Sequence, residues 1–183
     1  MRTLDKARSH TKLTTTLVLA AAAIATLPVA LAQAGDGGTG TSSSHARAGK
    51  ARLVNGKAIA PSNAPARVVG VIEAANRIAK GKDYCYGGGH ASFKATCYDC
   101  SGSVSYALRG GHFVRRPMAS GDLMHWGRGH RGKWITVYSN PGHAYMTVAG
   151  LRFDTSMTKG NGPGWSRHMR SNSGYRKRHK GRF

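Results

Sequence analysis

Apolar residues recur at helical spacing through Val68, Val69, Val71, Ile72, Ala75, Ile78 and Ala79, and the run stops at Gly81. That recurrence predicts an amphipathic helix. A shorter helix is predicted over Ser101–Leu108, with Val104, Ala107 and Leu108 on one face and Gly110-Gly111 as its stop. Asp99 is placed to cap it. Between the two, Tyr84 to His90 reads as a loop, where three successive glycines open backbone conformations closed to other residues. Further on the period changes to two: Asp122–Trp126 and Trp134–Tyr138 read as strands, and His143–Val148 with Leu151–Ser156 as a hairpin across Ala149-Gly150.

The hairpin predicts a register. With Val148 facing Leu151, Tyr145 lies opposite Asp154 and His143 opposite Ser156. Ala144, Met146, Val148, Leu151 and Phe153 then form the buried face. His143, Tyr145 and Thr147 share the other face with Arg152, Asp154 and Ser156, so His143 and Asp154 are diagonal neighbours on a polar surface. A one-residue slip would present Thr155 instead.

Composition changes the picture at both ends. Arg2, Lys6, Arg8 and Lys12 precede an apolar stretch from Leu17 to Ala30, and Ala32-Gln33-Ala34 has the small-x-small form of a cleavage site, so residues 1–34 read as a secretory signal. The stretch is shorter than the ~20 residues a membrane span needs, and Pro28 interrupts it. No cysteine precedes Cys85, which excludes a lipid-anchored cysteine next to the signal. The expectation is an exported protein, secreted or held in the cell envelope. Residues 35–65 have almost no large apolar groups and read as a flexible linker. Residues 66–158 hold the one small core, and residues 159–183 read as a basic low-complexity tail, acid-free from Arg167 onward.

The net charge is +21, from 28 Lys and Arg against 7 Asp and Glu. Such an excess asks for a polyanion. Export makes anionic wall or envelope polymers the first expectation and a merely solvated tail the second. Nucleic acid is not expected, because the basic tail lacks an aromatic series for stacking bases.

Three cysteines in an exported chain leave one over. Pairing Cys85 with Cys97 would close a short loop ahead of Cys100 and leave that thiol free. The rivals are a Cys97–Cys100 pair, which would block Cys100 or make it a redox switch, and a zinc site using all three thiolates with His90. The zinc spacing fits no common pattern. Cys100 in the first turn of a helix, with His143 downstream, has two means of becoming a thiolate nucleophile: free backbone N–H groups and an imidazole. A buried structural cysteine is the commoner alternative. Asp154, as the diagonal neighbour of His143, is the candidate that orients it.

Four ordered blocks carry a family resemblance: Tyr84-Cys85-Tyr86-Gly87-Gly88, Asp99-Cys100-Ser101-Gly102, Gly121-Asp122-Leu123-Met124 and Gly142-His143. Together they resemble the NlpC-type papain-like cysteine peptidases of bacterial peptidoglycan, over roughly Arg67 to Ser156. Tyr86 stands for the usual Trp, Ser120 for the usual Pro, and Asp154 for the more usual His, Asn or Gln. The resemblance implies an α+β, papain-like core: N-terminal helices, a nucleophile helix, then an antiparallel sheet. It implies Cys100, His143 and Asp154 as catalytic residues, Tyr84 and the start of the Cys100 helix at Ser101 beside the oxyanion or substrate, and no cofactor or metal. The bond implied joins D-glutamate to the diamino acid of the stem peptide. A related CHAP-type amidase and a non-catalytic wall-binding module are the alternatives.

Overall fold

The computed structural model describes residues 49–156 and 162–183. The signal-like segment 1–34 lies outside them, as does the first part of the expected linker. Among the described residues, no helix is long and apolar enough to cross a membrane.

The second part of that linker is a hairpin rather than a tether. β1 (Arg52–Val54) pairs antiparallel with β2 (Lys57–Ile59). The turn puts Asn55 at φ 48° and Gly56 at φ 79°, the two left-handed positions that an Asn-Gly pair tolerates. Asn76 holds the hairpin to the first helix, accepting from the Ala58 N–H at 2.9 Å and donating to its carbonyl at 2.8 Å. The same Oδ1 accepts from Trp165 Nε1.

That helix, α1 (Ala66–Ile78), buries Val68, Val71, Ile72, Ala75 and Ile78, the face its spacing predicts. It ends ahead of Gly81 because the chain leaves helical conformation at Ala79, and Lys80 takes a positive φ. α2 (Cys100–Gly110) packs against α1 through Val104, Ala107 and Leu108. Asp122–Trp126 is not a strand. Residues Ser120–Leu123 form a single helical turn, α3, that buries Leu123 and is followed by buried Trp126. Two buried residues three apart fit a helical turn, not an alternating strand.

A six-stranded antiparallel sheet completes the fold. Its strands are β3 (Arg128–Gly129), β4 (Ile135–Asn140), β5 (His143–Val148), β6 (Leu151–Asp154), β7 (Gly164–Ser166) and β8 (Arg176–His179), in spatial order β3-β8-β4-β5-β6-β7. Helices first, then an antiparallel sheet: this is the α+β class and papain-like order expected. The β5–β6 register also agrees, with Val148 opposite Leu151 and Met146 opposite Phe153. Ala144, Met146, Val148, Leu151 and Phe153 are buried in one core with α1 and α2.

The expected basic tail departs most from the reading. β7 pairs with β6, and β8 lies inside the sheet between β3 and β4. Without apolar alternation, other contacts hold β8. Arg178 donates to the carbonyls of His125, Trp126 and Gly127. Phe183 is buried edge-on against Phe113 at 5.0 Å between centroids, and Arg67 lies over both rings. Long cationic side chains cover apolar surface with their stems while their heads find carbonyls or water.

Candidate active site

Asp99 organises the start of α2. Its Oδ1 accepts from Gly102 N at 2.7 Å, closing the cap, and its carbonyl accepts from Ser103 N at 3.0 Å. No group among the described residues takes the N–H of Cys100 or Ser101, so two donors stay open beside the thiol. The glycine-rich loop packs onto this turn: Asp99 N donates to the Gly88 carbonyl, and Gly87 N donates to Asp99 Oδ2. Gly102 is required here, because a Cβ would run into the Gly88 carbonyl.

A disulfide joins Cys85 to Cys97, with Cα atoms 5.6 Å apart, and Cys100 is free and buried. Both the Cys97–Cys100 pairing and the three-thiolate zinc site are thereby overturned. Closing so short a loop restricts the unfolded chain, a contribution of about 3 kcal/mol.

Burial opposes ionisation of the Cys100 thiol, but the His143 imidazole with its positive charge and the Ala144 backbone N–H at the start of β5 prevail, and the thiol sits below its ordinary pKa. His143 Nε2 faces Asp154 Oδ1 at 2.9 Å, which leaves Nδ1 for the thiol. Burial pulls the His143 pKa down; hydrogen bonds to Asp154 and Cys100, with their charges, lift it to about 9.

The diagonal pair predicted from the register is therefore in contact, yet its face is not an open one. Asp154 is fully buried. Its Oδ1 also accepts from Ser156 N and Oγ, at 3.1 and 3.0 Å, and its Oδ2 from Arg170 Nη1 at 3.1 Å. Burial favours the neutral acid, but these donors and the imidazolium hold Asp154 well below the usual carboxylate range. Tyr145, 2% exposed, stacks on Tyr138 at 4.7 Å, and Tyr175 meets both Tyr145 and His143 edge-on. Burial and neighbouring charges push Tyr145 up to about 12, so it is neutral.

Tyr84 is half-buried, and its pKa is raised by burial and then by the charges of Cys100 and Asp99. The Ser101 hydroxyl is engaged by Asp99 Oδ1 at 3.2 Å and His90 Nε2 at 2.9 Å, so toward a substrate Ser101 offers its N–H. His90 also meets Asp99 Oδ2 at 2.9 Å, one residue from the thiol. His125 instead lines a separate cavity of about 590 Å³ with Phe113, Met118 and Trp126. Sequence reasoning passed over Arg170 and Tyr175. Their only signal was a lone tyrosine within a basic run.

No protein-family model matches the chain, and no curated protein matches it. Among solved structures, it is similar to the P60 domain of the Mycobacterium avium subspecies paratuberculosis antigen MAP1204, with 24% identity, 61% of this chain and 93% of that one covered, and a TM-score of 0.47. It is similar to the peptidoglycan hydrolase RipB of Mycobacterium tuberculosis, also at 24% identity and TM-score 0.47, over 66% of this chain and 68% of RipB. RipD of the same organism, described as a non-catalytic NlpC/p60 domain protein adapted to peptidoglycan binding, matches at 17% identity and TM-score 0.47, over 63% of this chain and 98% of RipD. One neighbour is named a hydrolase and another non-catalytic, so the chemistry of this chain rests on its own residues.

Proposed function

We propose that this chain is an exported cysteine peptidase that hydrolyses peptide bonds in the stem peptides of bacterial peptidoglycan. The observation that supports it best is the His143 imidazole held at 2.9 Å by the buried Asp154 carboxylate, together with a free Cys100 whose thiol pKa that imidazole lowers, at a helix start with two open N–H groups. The bond between D-glutamate and the diamino acid is the one the sequence resemblance implies.

In this reading the Cys100 thiolate attacks the scissile carbonyl. The oxyanion falls toward the N–H groups of Cys100 and Ser101, with the Tyr84 hydroxyl alongside. His143 Nδ1–H protonates the leaving amine, which leaves an acyl thioester and a neutral imidazole. Water then adds to the acyl carbon as His143 takes its proton. The C–S bond breaks, and the thiolate–imidazolium pair returns. Asp154 holds Nε2–H throughout and fixes the tautomer.

Anionic wall polymers are the proposed second partner, met by the cationic surface around β8. Digestion of purified peptidoglycan by the wild-type protein and by Cys100→Ala, read by product mass, tests the reading. Free stem-peptide fragments from the wild type alone support it. Cleavage at the sugar–peptide link would make the chain an amidase, and binding without cleavage a wall-binding module.

A further inference from the structure

Asp154 is a buried carboxylate whose surroundings change during the reaction proposed above. While His143 is an imidazolium, a full positive charge lies 2.9 Å from Oδ1. Once His143 has protonated the leaving amine, that charge is gone. A buried carboxylate without a counter-charge is driven to take up a proton. Protonated, Asp154 no longer offers the anionic acceptor for Nε2–H, and the imidazole loses the partner that fixes its tautomer as water arrives.

Arg170 is the nearer of two cations that persist, the other being Arg152. Arg170 lies in the loop between β7 and β8, with Nη1 at 3.1 Å from Asp154 Oδ2 and 2.9 Å from Ser156 Oγ. Its guanidinium also lies over the rings of Tyr145 and Tyr175, at 5.4 and 5.6 Å. Two acceptors and two aromatic faces fix a planar group that stays charged at any working pH. The charged and titratable groups around Asp154 are His143 and Tyr145 from β5, Arg152 from β6, and Arg170 with Tyr175 from the loop; Cys100 acts on it through His143. Arg152 Nε stands 3.6 Å from the same Oδ2, a longer approach than that of Arg170.

We propose that Arg170 is a positioning residue acting through Asp154: it is the counter-ion that keeps the carboxylate anionic, and the imidazole oriented, while His143 is neutral. This rests on the cysteine-hydrolase reading of the site. No proton passes through Arg170 or Asp154. In thioester hydrolysis the proton of water goes to His143 Nδ1, the water oxygen bonds the acyl carbon, and the sulfur leaves with the C–S electron pair.

The test separates this role from the reading beneath it. In a His143→Gln background, where no imidazolium can form, Cys100 is alkylated with iodoacetamide so that no thiolate remains, and the side-chain carboxyl carbons are titrated by ¹³C NMR, with all variants compared in that background. The chain has only seven Asp and Glu, which makes Asp154 assignable by its loss in Asp154→Asn. Arg170→Met should raise the Asp154 midpoint by about one pH unit or more, a tenfold gain in proton affinity, and Arg170→Lys should leave it near wild type. Equal midpoints in wild type and Arg170→Met would overturn the proposal. Should Arg170→Met not fold, Arg170→Gln, which keeps a donor without charge, gives the same reading.

On substrate, Arg170→Met should lower kcat about tenfold while kcat/KM stays within about twofold, because the neutral imidazole is needed after acylation. It should add nothing in an Asp154→Asn background, where there is no charge to hold. Equal falls in kcat and kcat/KM, or additive losses, would overturn it. A wild type that hydrolyses nothing would sink the peptidase reading, and the carboxyl titration would still decide whether Arg170 keeps Asp154 ionised.

Discussion

The β5–β6 hairpin and strand β8 lie on opposite sides of β4 in the same sheet, and they are encoded in different ways. The hairpin alternates apolar and polar residues, so its strands, its register and the meeting of His143 with Asp154 follow from the sequence. Residues Arg176–His179 read Arg-Lys-Arg-His and carry no apolar alternation, yet they pair with β4 in register, Val137 opposite Arg178 and Ser139 opposite Arg176. A strand between two others has its backbone satisfied on both edges, and its side chains need only reach carbonyls or water. A sheet therefore admits a strand that period-two reasoning does not see. Solvent-exposed charge and charge woven into a fold have the same composition.

The largest effect should come from the legible side. Cys100→Ser and His143→Ala should each lower hydrolysis by about 10³-fold or more, and together by little beyond either alone, because they act as one unit. Circular dichroism should show both variants folded. Full activity in Cys100→Ser would remove the cysteine chemistry altogether.

Next comes the illegible side. Truncation after Ser166 removes β8, Arg170, Tyr175 and Phe183, and should abolish cooperative thermal unfolding. A solvated tail would leave the melting temperature where it was. Phe183→Ala is the gentler form, with an expected loss of about 3 kcal/mol for a buried aromatic, measured by urea denaturation.

The two sides meet in the pH profile. The thiolate–imidazolium pair exists between the depressed thiol pKa and the raised His143 pKa, so kcat/KM should fall as pH rises through about 9. Stability follows the same signs. The His143 contribution is full below its unfolded value near 6.5 and is lost as pH rises through about 9. The Asp154 contribution is present above about 3.8 and is lost as pH falls below that, toward its depressed folded value. Melting temperature against pH should decline at both ends, and Asp154→Asn should flatten the acid decline.

The smallest effect sharpens the comparison locally. Gly102→Ala forces a methyl group against the Gly88 carbonyl, and should cost about 1–3 kcal/mol of stability while displacing the loop that Asp99 holds. Alanine elsewhere in α2 would favour the helix, so a stabilised Gly102→Ala would mean that the loop does not pack there.

How much the sequence disclosed follows the same division. Both principal helices, the hairpin register and the meeting of His143 with Asp154 were readable, because each depends on local periodicity or ordered motifs. The Asn55-Gly56 hairpin carried a readable turn signal, but its strands are three residues long with few apolar groups, too little for the pattern to register. Asp122–Trp126 was misread as a strand because so short a run cannot separate one period from another. Arg170 could not be singled out among 28 cations, since what distinguishes it is a buried carboxylate 16 residues earlier.

The bridge between Cys85 and Cys97 has a further consequence. Three residues beyond it, Cys100 has to stay reduced to act as a thiolate, while the loop that carries Asp99 is held by a bond that has to stay oxidised. The two demands fall on one short segment, so the site has an upper and a lower limit of reduction potential. Below the lower limit the bridge opens, and above the upper limit the thiol is oxidised.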